Sequence, residues 1–412
     1  MTATYSRAAG ETVLGGPYHI TATLSPAAVL TNYSITNAGA SFTINARPAT
    51  WTTNQNSKTY GDADPNPLTT GSGDFLAADN VTATYSRAAG ETVLGGPYQI
   101  TATLSPAAVL TNYSITNAGA SFTINTRPAT VTANNKMKTY GDANPTLTAT
   151  VTNVVTGDTL NYTLATSATQ CSSVGPYAIT VTLGSNPNYN VTPTNGTLTI
   201  IKKHLTVTAD NKSKAYDGNP FTAFTVMITG FTCGDGVGVV SGSATYTGSA
   251  VGATLPGTYT ITPQVGTLTA TNYDFTPFVN GTLTIGYGTC TGSDQGGVIL
   301  QPINADGSSI FPRSGRTVPV KFKVCDANGN PISDPTVVFA GTGGQLTMLS
   351  AVRGQIPNPD ESQYNDIPDV AFRYAGGFWI FNMATSNLNA QTTYTFRINL
   401  KYGSITFVIA IK

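Results

Sequence analysis

The chain has 412 residues with 20 basic and 20 acidic side chains, so its formal net charge is zero and only 10% of its residues are charged. This balance excludes an electrostatic nucleic-acid binder, which needs a clustered excess of Lys and Arg. Its 70 Thr, 42 Gly and 24 Pro favour strands and turns, so the composition predicts an all-β protein. The sequence contains no apolar stretch near the roughly 20 residues that span a membrane.

The first half of the chain contains a long repeat. Residues 2–50 recur as residues 82–130 with two differences, His19 against Gln99 and Ala46 against Thr126. Two diverged copies follow. Three landmarks recur at corresponding positions along the copies: a Lys-x-Tyr turn, a Gly-x-Tyr strand and an Asn-Tyr pair. The tyrosines that define the repeat are Tyr60, Tyr98, Tyr113, Tyr140, Tyr177, Tyr189, Tyr216, Tyr259 and Tyr273. A period of roughly 80 residues is too long for a solenoid turn and predicts a string of small, separately cored β modules.

The landmarks also give the module boundaries. We place a partial module at 1–46, whole modules at 47–126, 127–202 and 203–285, a small-residue linker at 286–296 and an unrelated module at 297–412. Met1 stands where the next copy has Val81, which favours a reading frame that begins inside a longer array; a boundary chosen on purpose is the alternative. We then expect a signal segment upstream, and an unpaired sheet edge in residues 1–46 that is disordered or pairs with another chain.

Within a module the hydrophobic period is two. Residues 98–104 alternate between apolar and polar, which predicts a half-buried strand. We expect five to seven short strands per module, arranged as a sandwich or an open partial barrel. The alanine runs at 86–90 and 105–110 could each hold one helical turn.

Two features of the modules have competing interpretations. The repeated tyrosines could form a sugar-binding platform, but packing of their rings on small cores is the favoured interpretation. The acidic turns that contain Asp62, Asp64, Asp142 and Asn144 could hold a hard cation. Because Asp and Asn form turns without any ion, we favour turns.

Taken together, the Lys-x-Tyr-Gly-Asp turn, the Gly-Pro-Tyr strand, the Asn-Tyr pair and the closing Gly-Thr-Leu-Thr-Ile resemble the MBG repeat. That family is a mostly-β, glycine-containing module found in tandem in large bacterial secreted and surface proteins. The resemblance covers roughly residues 1–285. The last repeat departs from it at residues 216–218, where Tyr-Asp-Gly replaces Tyr-Gly-Asp.

The C-terminal region carries the strongest strand signals. Residues 320–324 alternate cleanly and lead into a turn at Asn328-Gly329, a pair that favours hairpins. Residues 394–400 and 405–411 predict a final β-hairpin, and Trp379 is expected in the same core. This region predicts a distinct C-terminal β-sandwich.

Pro319, Lys321 and Phe322, with the turn that follows them, are similar to the PxKF module found at the ends of bacterial extracellular proteins. No catalytic residue is attached to that family, so none is carried over. Asp326-x-Asn328-x-Asn330 also imitates the start of an EF-hand loop. Pro331 stands where that loop needs glycine, so a hairpin turn is favoured.

The sequence offers little for chemistry. Its two histidines, His19 and His204, lie on a polar strand face and at a module junction, and neither has a nucleophile or a ligand cluster beside it. We therefore predict no catalytic residue, no metal and no cofactor. We favour a disulfide between Cys290 and Cys325, with free thiols as the alternative. A bridge between Cys171 and Cys233 would need an unusually close junction between modules.

These observations favour a non-catalytic extracellular or cell-surface stalk or spacer, adhesin-like in character. The rival is an array of binding modules for a surface glycan or a host protein, with exposed Tyr or Trp379 as contacts. A third interpretation is the non-catalytic tail of a larger secreted enzyme. Exposed aromatic rings would favour the binding array, and buried rings would favour the stalk.

Overall fold

The computed structural model describes residues 1–341, 344–357 and 369–412. Over these ranges strands dominate, and no described helix is long and apolar enough to cross a membrane. The described helices are the α-helical turns Ala27–Leu30, Ala107–Leu110 and Pro335–Val338 and the 3-10 turns Ala77–Asp79, Val237–Val239 and Thr385–Asn387. The chain forms two compact units, one of Met1–Met137, Asn144–Ala168 and Pro176–Thr199 and the other of Lys138–Ala143, Thr169–Gly175 and Ile200–Lys412.

The first unit begins with an antiparallel sheet of three strands in the order β1–β2–β3. These strands are β1 (Thr2–Arg7), β2 (Tyr18–Ser25) and β3 (Ala40–Phe42). Much of the apolar surface of this partial module is open, because Tyr33 is 62% exposed and Phe42 is 41% exposed.

The second module is a seven-stranded sandwich. Its strands are β4 (Arg47–Thr53), β5 (Asn56–Thr59), β6 (Gly71–Gly73), β7 (Thr82–Arg87), β8 (Tyr98–Ser105), β9 (Tyr113–Thr116) and β10 (Ala120–Asn125). They form two sheets, in the orders β6–β4–β9 and β5–β10–β8–β7. Alternate residues of β8 and β10 point inward, so Tyr98, Ile100, Phe122 and Ile124 form a separate core.

The third module repeats this plan. Its strands are β11 (Arg127–Ala133), β12 (Lys136–Thr139), β13 (Ala149–Thr152), β14 (Tyr162–Thr166), β15 (Gly175–Leu183), β16 (Tyr189–Thr194) and β17 (Gly196–Ile201). In the first unit they give the sheet β13–β11–β16 and the antiparallel pair β14–β15. Ala129, Val131 and Leu160 form its buried core.

The fourth module, in the second unit, again has seven strands and two sheets. The strands are β18 (Lys203–Ala209), β19 (Lys212–Ala215), β20 (Val226–Thr229), β21 (Thr245–Thr247), β22 (Gly257–Gln264), β23 (Tyr273–Val279) and β24 (Gly281–Gly286). The sheet orders are β20–β18–β23 and β19–β24–β22–β21, which match those of the second module. Its core contains Ile261, Leu283 and Ile285.

The C-terminal module has a different topology. Its described strands are β25 (Ile310–Phe311), β26 (Thr317–Phe322), β27 (Leu346–Arg353), β28 (Arg373–Ala375), β29 (Phe378–Ala384), β30 (Thr392–Asn399) and β31 (Ser404–Ile411). They form the sheets β25–β31–β30–β27 and β26–β29–β28. The predicted final hairpin is confirmed, since β30 and β31 pair antiparallel from Thr392↔Ile411 to Asn399↔Ser404.

The all-β architecture of small sandwich modules is therefore confirmed. Trp379 lies in the C-terminal core, as expected, and its indole nitrogen donates to the carbonyl of Ile332 at 2.9 Å. The helical turn expected near 105–110 is present as Ala107–Leu110. The turn expected at 86–90 is wrong: β7 continues to Arg87 because Ser86 and Arg87 still pair with β8.

Candidate functional site: the joints between modules

The nine tyrosines singled out by the repeat are all buried or half-buried. Tyr98 illustrates the packed type: its ring lies against Gly90, and its hydroxyl donates to the carbonyl of Thr92 at 2.8 Å. A side chain at Gly90 would collide with that ring, which explains the small residue. Tyr177 and Tyr259 are half-buried in the equivalent strands β15 and β22. None of these rings forms an exposed platform.

Tyr60 and Tyr140 have a different role, because each reaches out of its own module. The hydroxyl of Tyr60 donates to Asp158 of the third module at 2.9 Å. The same carboxylate oxygen accepts the hydroxyl of Tyr189 at 2.5 Å. The two tyrosine rings pack edge to face with their centroids 5.4 Å apart. We name this arrangement the Tyr–Asp–Tyr joint.

The second unit contains the same joint one repeat later. Tyr140 donates to Asp235 at 3.0 Å, and Tyr273 donates to the same oxygen at 2.7 Å. The ring centroids are 5.3 Å apart at an interplanar angle of 83°. A geometry that recurs at this accuracy between diverged copies is a structural property of the repeat.

In the three whole modules, the Asn of the Asn-Tyr pair adds a second link. Its side-chain oxygen accepts a backbone N–H from the preceding module, at distances of 2.9 to 3.0 Å. The donors and acceptors are Val13 and Asn112, Val93 and Asn188, and Val174 and Asn272. Together with Tyr60 and Tyr140, two of these bonds hold the second-to-third and third-to-fourth joints at two separate points.

Glycine after the joint tyrosine is required by close packing. Gly61 has φ +82°, and a Cβ there would stand 2.3 Å from a methyl carbon of Val155 in the third module. Gly141 has φ +87° and would meet Thr232 at the same distance. Both the left-handed backbone and the contact exclude a larger residue. The Tyr-Gly dipeptide of the motif therefore belongs to the joint.

In the first unit one charged side chain crosses the joint, and a group of ion pairs lies within the second module. Arg127, on the first strand of the third module, donates to the carbonyl of Tyr60 at 3.0 Å and to Asp62 at 2.8 Å. Asp64 accepts from Arg87 at 2.7 Å and lies 2.8 Å from the ammonium of Lys58. The hydrogen bond from Arg87 holds the pKa of Asp64 at about 2.

The side chains of Asp62 and Asp64 are thus engaged by cations of the chain. In the third module Lys138 instead donates to three backbone carbonyls, and its burial lowers its pKa. Within residues 1–341, 344–357 and 369–412 no group of three or more His, Cys, Asp or Glu side chains could hold a metal ion. His19 is exposed, and the exposed His204 pairs with Asp274.

The joint tyrosines remain protonated well above neutral pH. The hydrogen bond to Asp158 raises the pKa of Tyr60, and burial raises the pKa of Tyr140 and Tyr189. Burial raises the pKa of Tyr273 to about 12. The hydroxyls therefore stay hydrogen-bond donors over the whole physiological range.

A disulfide reinforces the joint in the second unit. Cys171 and Cys233 are bonded, with their Cα atoms 5.7 Å apart. A bridge between these two cysteines needs an unusually close junction between modules, and the structure has one. The hydrogen bonds Tyr140–Asp235 and Val174–Asn272 hold the segments that carry the two cysteines close together. Cys290 is bonded to Cys325, which ties the segment after the fourth module to the C-terminal module.

The fourth module meets the C-terminal module through a different set of contacts. Tyr216 packs against the cores of both, and its carbonyl accepts the N–H of Ala327 at 2.7 Å. Tyr287, in the segment predicted as a linker, donates to the carbonyls of Val337 and Val338. That segment packs closely against the last module.

Near the C-terminal motif, Pro319 and Phe322 are buried in β26, and Lys321 is half-buried. Asp326 closes the following turn by accepting the backbone N–H groups of Asn328 and Asn330, each at 2.9 Å. These bonds lower the pKa of Asp326. Its carboxylate serves the turn, as the hairpin interpretation required.

Sequence reasoning missed the aspartates. Asp79, Asp158 and Asp235 each precede the tyrosine that they bind by 31 to 38 residues. Asp158 and Asp235 follow a glycine, whereas Asp79 follows Ala78. The signal was weak but present, since an alignment of the modules on their Asn-Tyr pairs shows an acid in this region of every whole copy. Only the fold shows that this acid faces the neighbouring module.

Comparison with known proteins gives one family. The profile of the MBG domain (YGX type) matches residues 49–123, 129–199 and 205–284, which is more than half of the chain. No curated protein matches the chain at a significant level.

Solved structures give distant likenesses. The I9–I11 tandem of titin is 10% identical, covers 69% of this chain and 98% of its own, and has a TM-score of 0.20. Drosophila N-cadherin EC1-4 is 11% identical, covers 89% and 100%, and scores 0.17. The Bacteroides ovatus glucan-utilisation protein SGBP-B, solved with a mixed-linkage heptasaccharide, is 10% identical, covers 67% and 66%, and scores 0.15. At these TM-scores the likeness carries no conclusion about function.

Proposed function

The chain belongs to the MBG domain (YGX type) family, and from that premise we propose that it is a non-catalytic extracellular or cell-surface protein whose modules act as a stalk or spacer. The modules keep the boundaries 47–126, 127–202 and 203–285 in this proposal. Each has its own buried core, which lets copies be added or lost without disturbing the rest.

The observation that carries the proposal is the Tyr–Asp–Tyr joint. A spacer must transmit a defined separation, so its modules need joints that resist bending. Tyr60 and Asp158 place a hydrogen bond across one such joint, and Tyr140 and Asp235 place the same bond across the next. Two hydroxyls on one carboxylate, with edge-to-face rings, restrict rotation between modules far more than a flexible linker would.

The sequestered aromatic rings support a spacer over a binding array. A sugar platform needs exposed rings, whereas the repeat tyrosines and Trp379 face cores or joints. Sparse charge and dense Thr suit a surface that stays in solution without attracting partners. The bridges Cys171–Cys233 and Cys290–Cys325 support an oxidising compartment, which fits an extracellular location.

We also propose that residues 297–412 are a PxKF-like module that ends the array. Pro319, Lys321 and Phe322 lie on one strand of its smaller sheet, with the proline and phenylalanine in the core. In this proposal the motif has a structural role, and no ligand or catalytic step is assigned to it.

The spacer proposal is tested by the width of a distance distribution. Spin labels on non-natural residues at the exposed positions Thr103 and Thr182 report the second and third modules without disturbing the disulfides. We expect a narrow distribution that widens with Asp158→Ala. Asp235→Ala is the matched control, since it removes the same carboxylate from the other joint and should leave this distribution unchanged.

A broad distribution in the unaltered chain that Asp158→Ala does not change would refute the spacer role. It would mean that the modules reorient freely in spite of the bonds between them. Widening with both variants would instead indicate a general loss of structure, and circular dichroism of the variants separates that case.

A further inference from the structure

The C-terminal motif contains one residue that its structural role does not explain. Val320 and Phe322 are fully buried, whereas Lys321 between them is half-buried. Because side chains alternate along a strand, Lys321 points to the opposite face of β26 from the core. There it lines a cleft with a volume of about 320 Å³. Small-molecule sites in proteins have volumes of about 300–1,000 Å³, so the cleft is large enough for one small ligand.

The segment 293–301 contributes much of the lining of this cleft, and main-chain bonds hold it against β26 and the residues after it. The N–H of Leu300 donates to the carbonyl of Lys321 at 2.9 Å, and the N–H of Gly297 donates to the carbonyl of Lys323 at 2.8 Å. The second disulfide bond ties the chain just before this segment to the same module. The cleft is therefore formed without a ligand, which lowers the entropic cost of binding one.

The cleft contains two opposite charges that do not pair. Lys321 and Asp294 both line it, and among the described residues neither side chain has a hydrogen-bond or ion-pair partner. The neighbouring Lys323 is engaged, since its ammonium lies 5.7 Å from the ring centroid of Phe378 and 3.5 Å from the carbonyl oxygen of Thr291. A partly desolvated ion without a partner favours a ligand group of opposite charge. The cleft therefore offers one charge of each sign.

Apolar side chains line the cleft beside the charged groups. Phe378, Val298 and Leu300 all contribute to the lining, and each is half-buried. An apolar ligand group that covers them removes their remaining apolar surface from water, which favours binding. The cleft thus combines a cation, an anion and an apolar surface within the volume of one small molecule.

We propose that this cleft binds a small zwitterion, namely a free amino acid with an apolar side chain. The carboxylate of the ligand accepts from the ammonium of Lys321, its ammonium group donates to Asp294, and its side chain packs on Phe378. Charge-assisted hydrogen bonds at both ends discriminate against ligands that carry only one of the two charged groups. This inference is independent of the spacer role, because no residue of the site lies in the repeat modules.

Three probes of similar shape test the two charged contacts in the full chain. Leucine carries both charged groups, leucinamide lacks the carboxylate, and N-acetylleucine lacks the ammonium group. Saturation-transfer NMR titrations follow the side-chain methyl protons that all three probes share. We expect saturable binding of leucine, about tenfold tighter than that of either analogue, since each analogue loses one hydrogen bond between charged groups at a partly exposed site.

Variants assign each contact to its residue. Lys321→Met keeps an unbranched apolar stem and removes the ammonium, so the preference for leucine over leucinamide should disappear while the preference over N-acetylleucine remains. Asp294→Asn should give the opposite pattern, and it decides the case by itself if Lys321→Met does not fold. Lys401→Met is the matched control, because it removes the same charge from an exposed position of the C-terminal module and should leave all three affinities unchanged.

Four results would overturn the proposal. They are no saturable binding of leucine, equal affinity of the unaltered chain for leucine and either analogue, unchanged selectivity in the folded cleft variants, and an equal loss in Lys401→Met. Hydrogen exchange gives the location, since leucine should slow exchange in residues 293–301. Protection confined to other segments would place the binding elsewhere and would also overturn the proposal.

Discussion

Removing the hydroxyl of Tyr60 isolates the energy of one joint. Tyr60→Phe keeps the ring that packs on Tyr189 and deletes only the 2.9 Å bond to Asp158. A hydrogen bond to a charged group contributes about 1.5–3 kcal/mol, and the half-buried position favours the lower end. We expect a loss of about 1.5 kcal/mol, which corresponds to roughly tenfold faster exchange of amides that open with the joint.

Hydrogen exchange is the suitable assay, because a chain of several modules does not unfold in one two-state step. Amides of β9 and β10 report the second module, and amides of β16 report the third. Asp158→Ala should cost about 3 kcal/mol, since it removes the acceptor of two hydroxyls. In that background Tyr60→Phe should cost less than about 0.5 kcal/mol.

Tyr5→Phe is the matched control, because that ring is 74% exposed and the change should leave exchange unaltered. Additive losses from Tyr60→Phe and Asp158→Ala would refute the reasoning, since they would show that the two side chains do not interact in solution. The reasoning would also be refuted if Tyr60→Phe reduced the stability of the joint no more than Tyr5→Phe does.

Three further predictions follow from the joints. Gly61→Ala should destabilise the joint between the second and third modules by about 2 kcal/mol, because it adds both a left-handed backbone penalty and a collision with Val155. Gly157→Ala is the control for the backbone penalty alone, since Gly157 has φ +96° and open space around it. Equal amide exchange rates in the two variants would contradict the collision. The buried Tyr273 has its pKa raised from 10 to about 12, so its contribution to stability is complete below pH 10 and is lost as the pH rises towards 12. The midpoint urea concentration for loss of the fourth module should therefore fall less over that pH range in a Tyr273→Phe chain than in the unaltered chain. Equal falls of the two midpoints would disprove this linkage. Replacing Cys171 and Cys233 by Ser should lower stability by about 4 kcal/mol, because the disulfide closes a loop that spans 62 residues and limits the entropy of the unfolded chain. Amide hydrogen exchange in the fourth module measures this loss. An unchanged exchange rate would mean that the hydrogen bonds alone hold that joint.

Much of the fold could be predicted from local patterns. Alternation in residues 98–104 gave a strand and its inward face, because a strand turns every second side chain to the same side. The predicted count of five to seven strands per module includes the seven that the structure has. The family resemblance likewise depended on residues close together in the chain.

The candidate site was harder to predict, because its partners are far apart in sequence. Tyr60 and Asp158 are 98 residues apart, and Tyr140 and Asp235 are 95 apart. No periodicity links such positions. The tyrosines were recognised as repeat landmarks. A single sequence does not distinguish a tyrosine that packs in a core from one that forms a joint.

The sequence by itself determined the strands, the repeat and the separate cores, since each depends on alternation and turn chemistry within one module. The tertiary structure alone decided which polar groups meet across a joint and which apolar faces are covered. Tyr33 and Tyr113 show the division, since they share almost the same sequence neighbourhood and differ from 62% to 8% in exposure. Local sequence specifies which side of a strand is apolar, but burial requires a second surface, and that surface comes from residues distant in the chain.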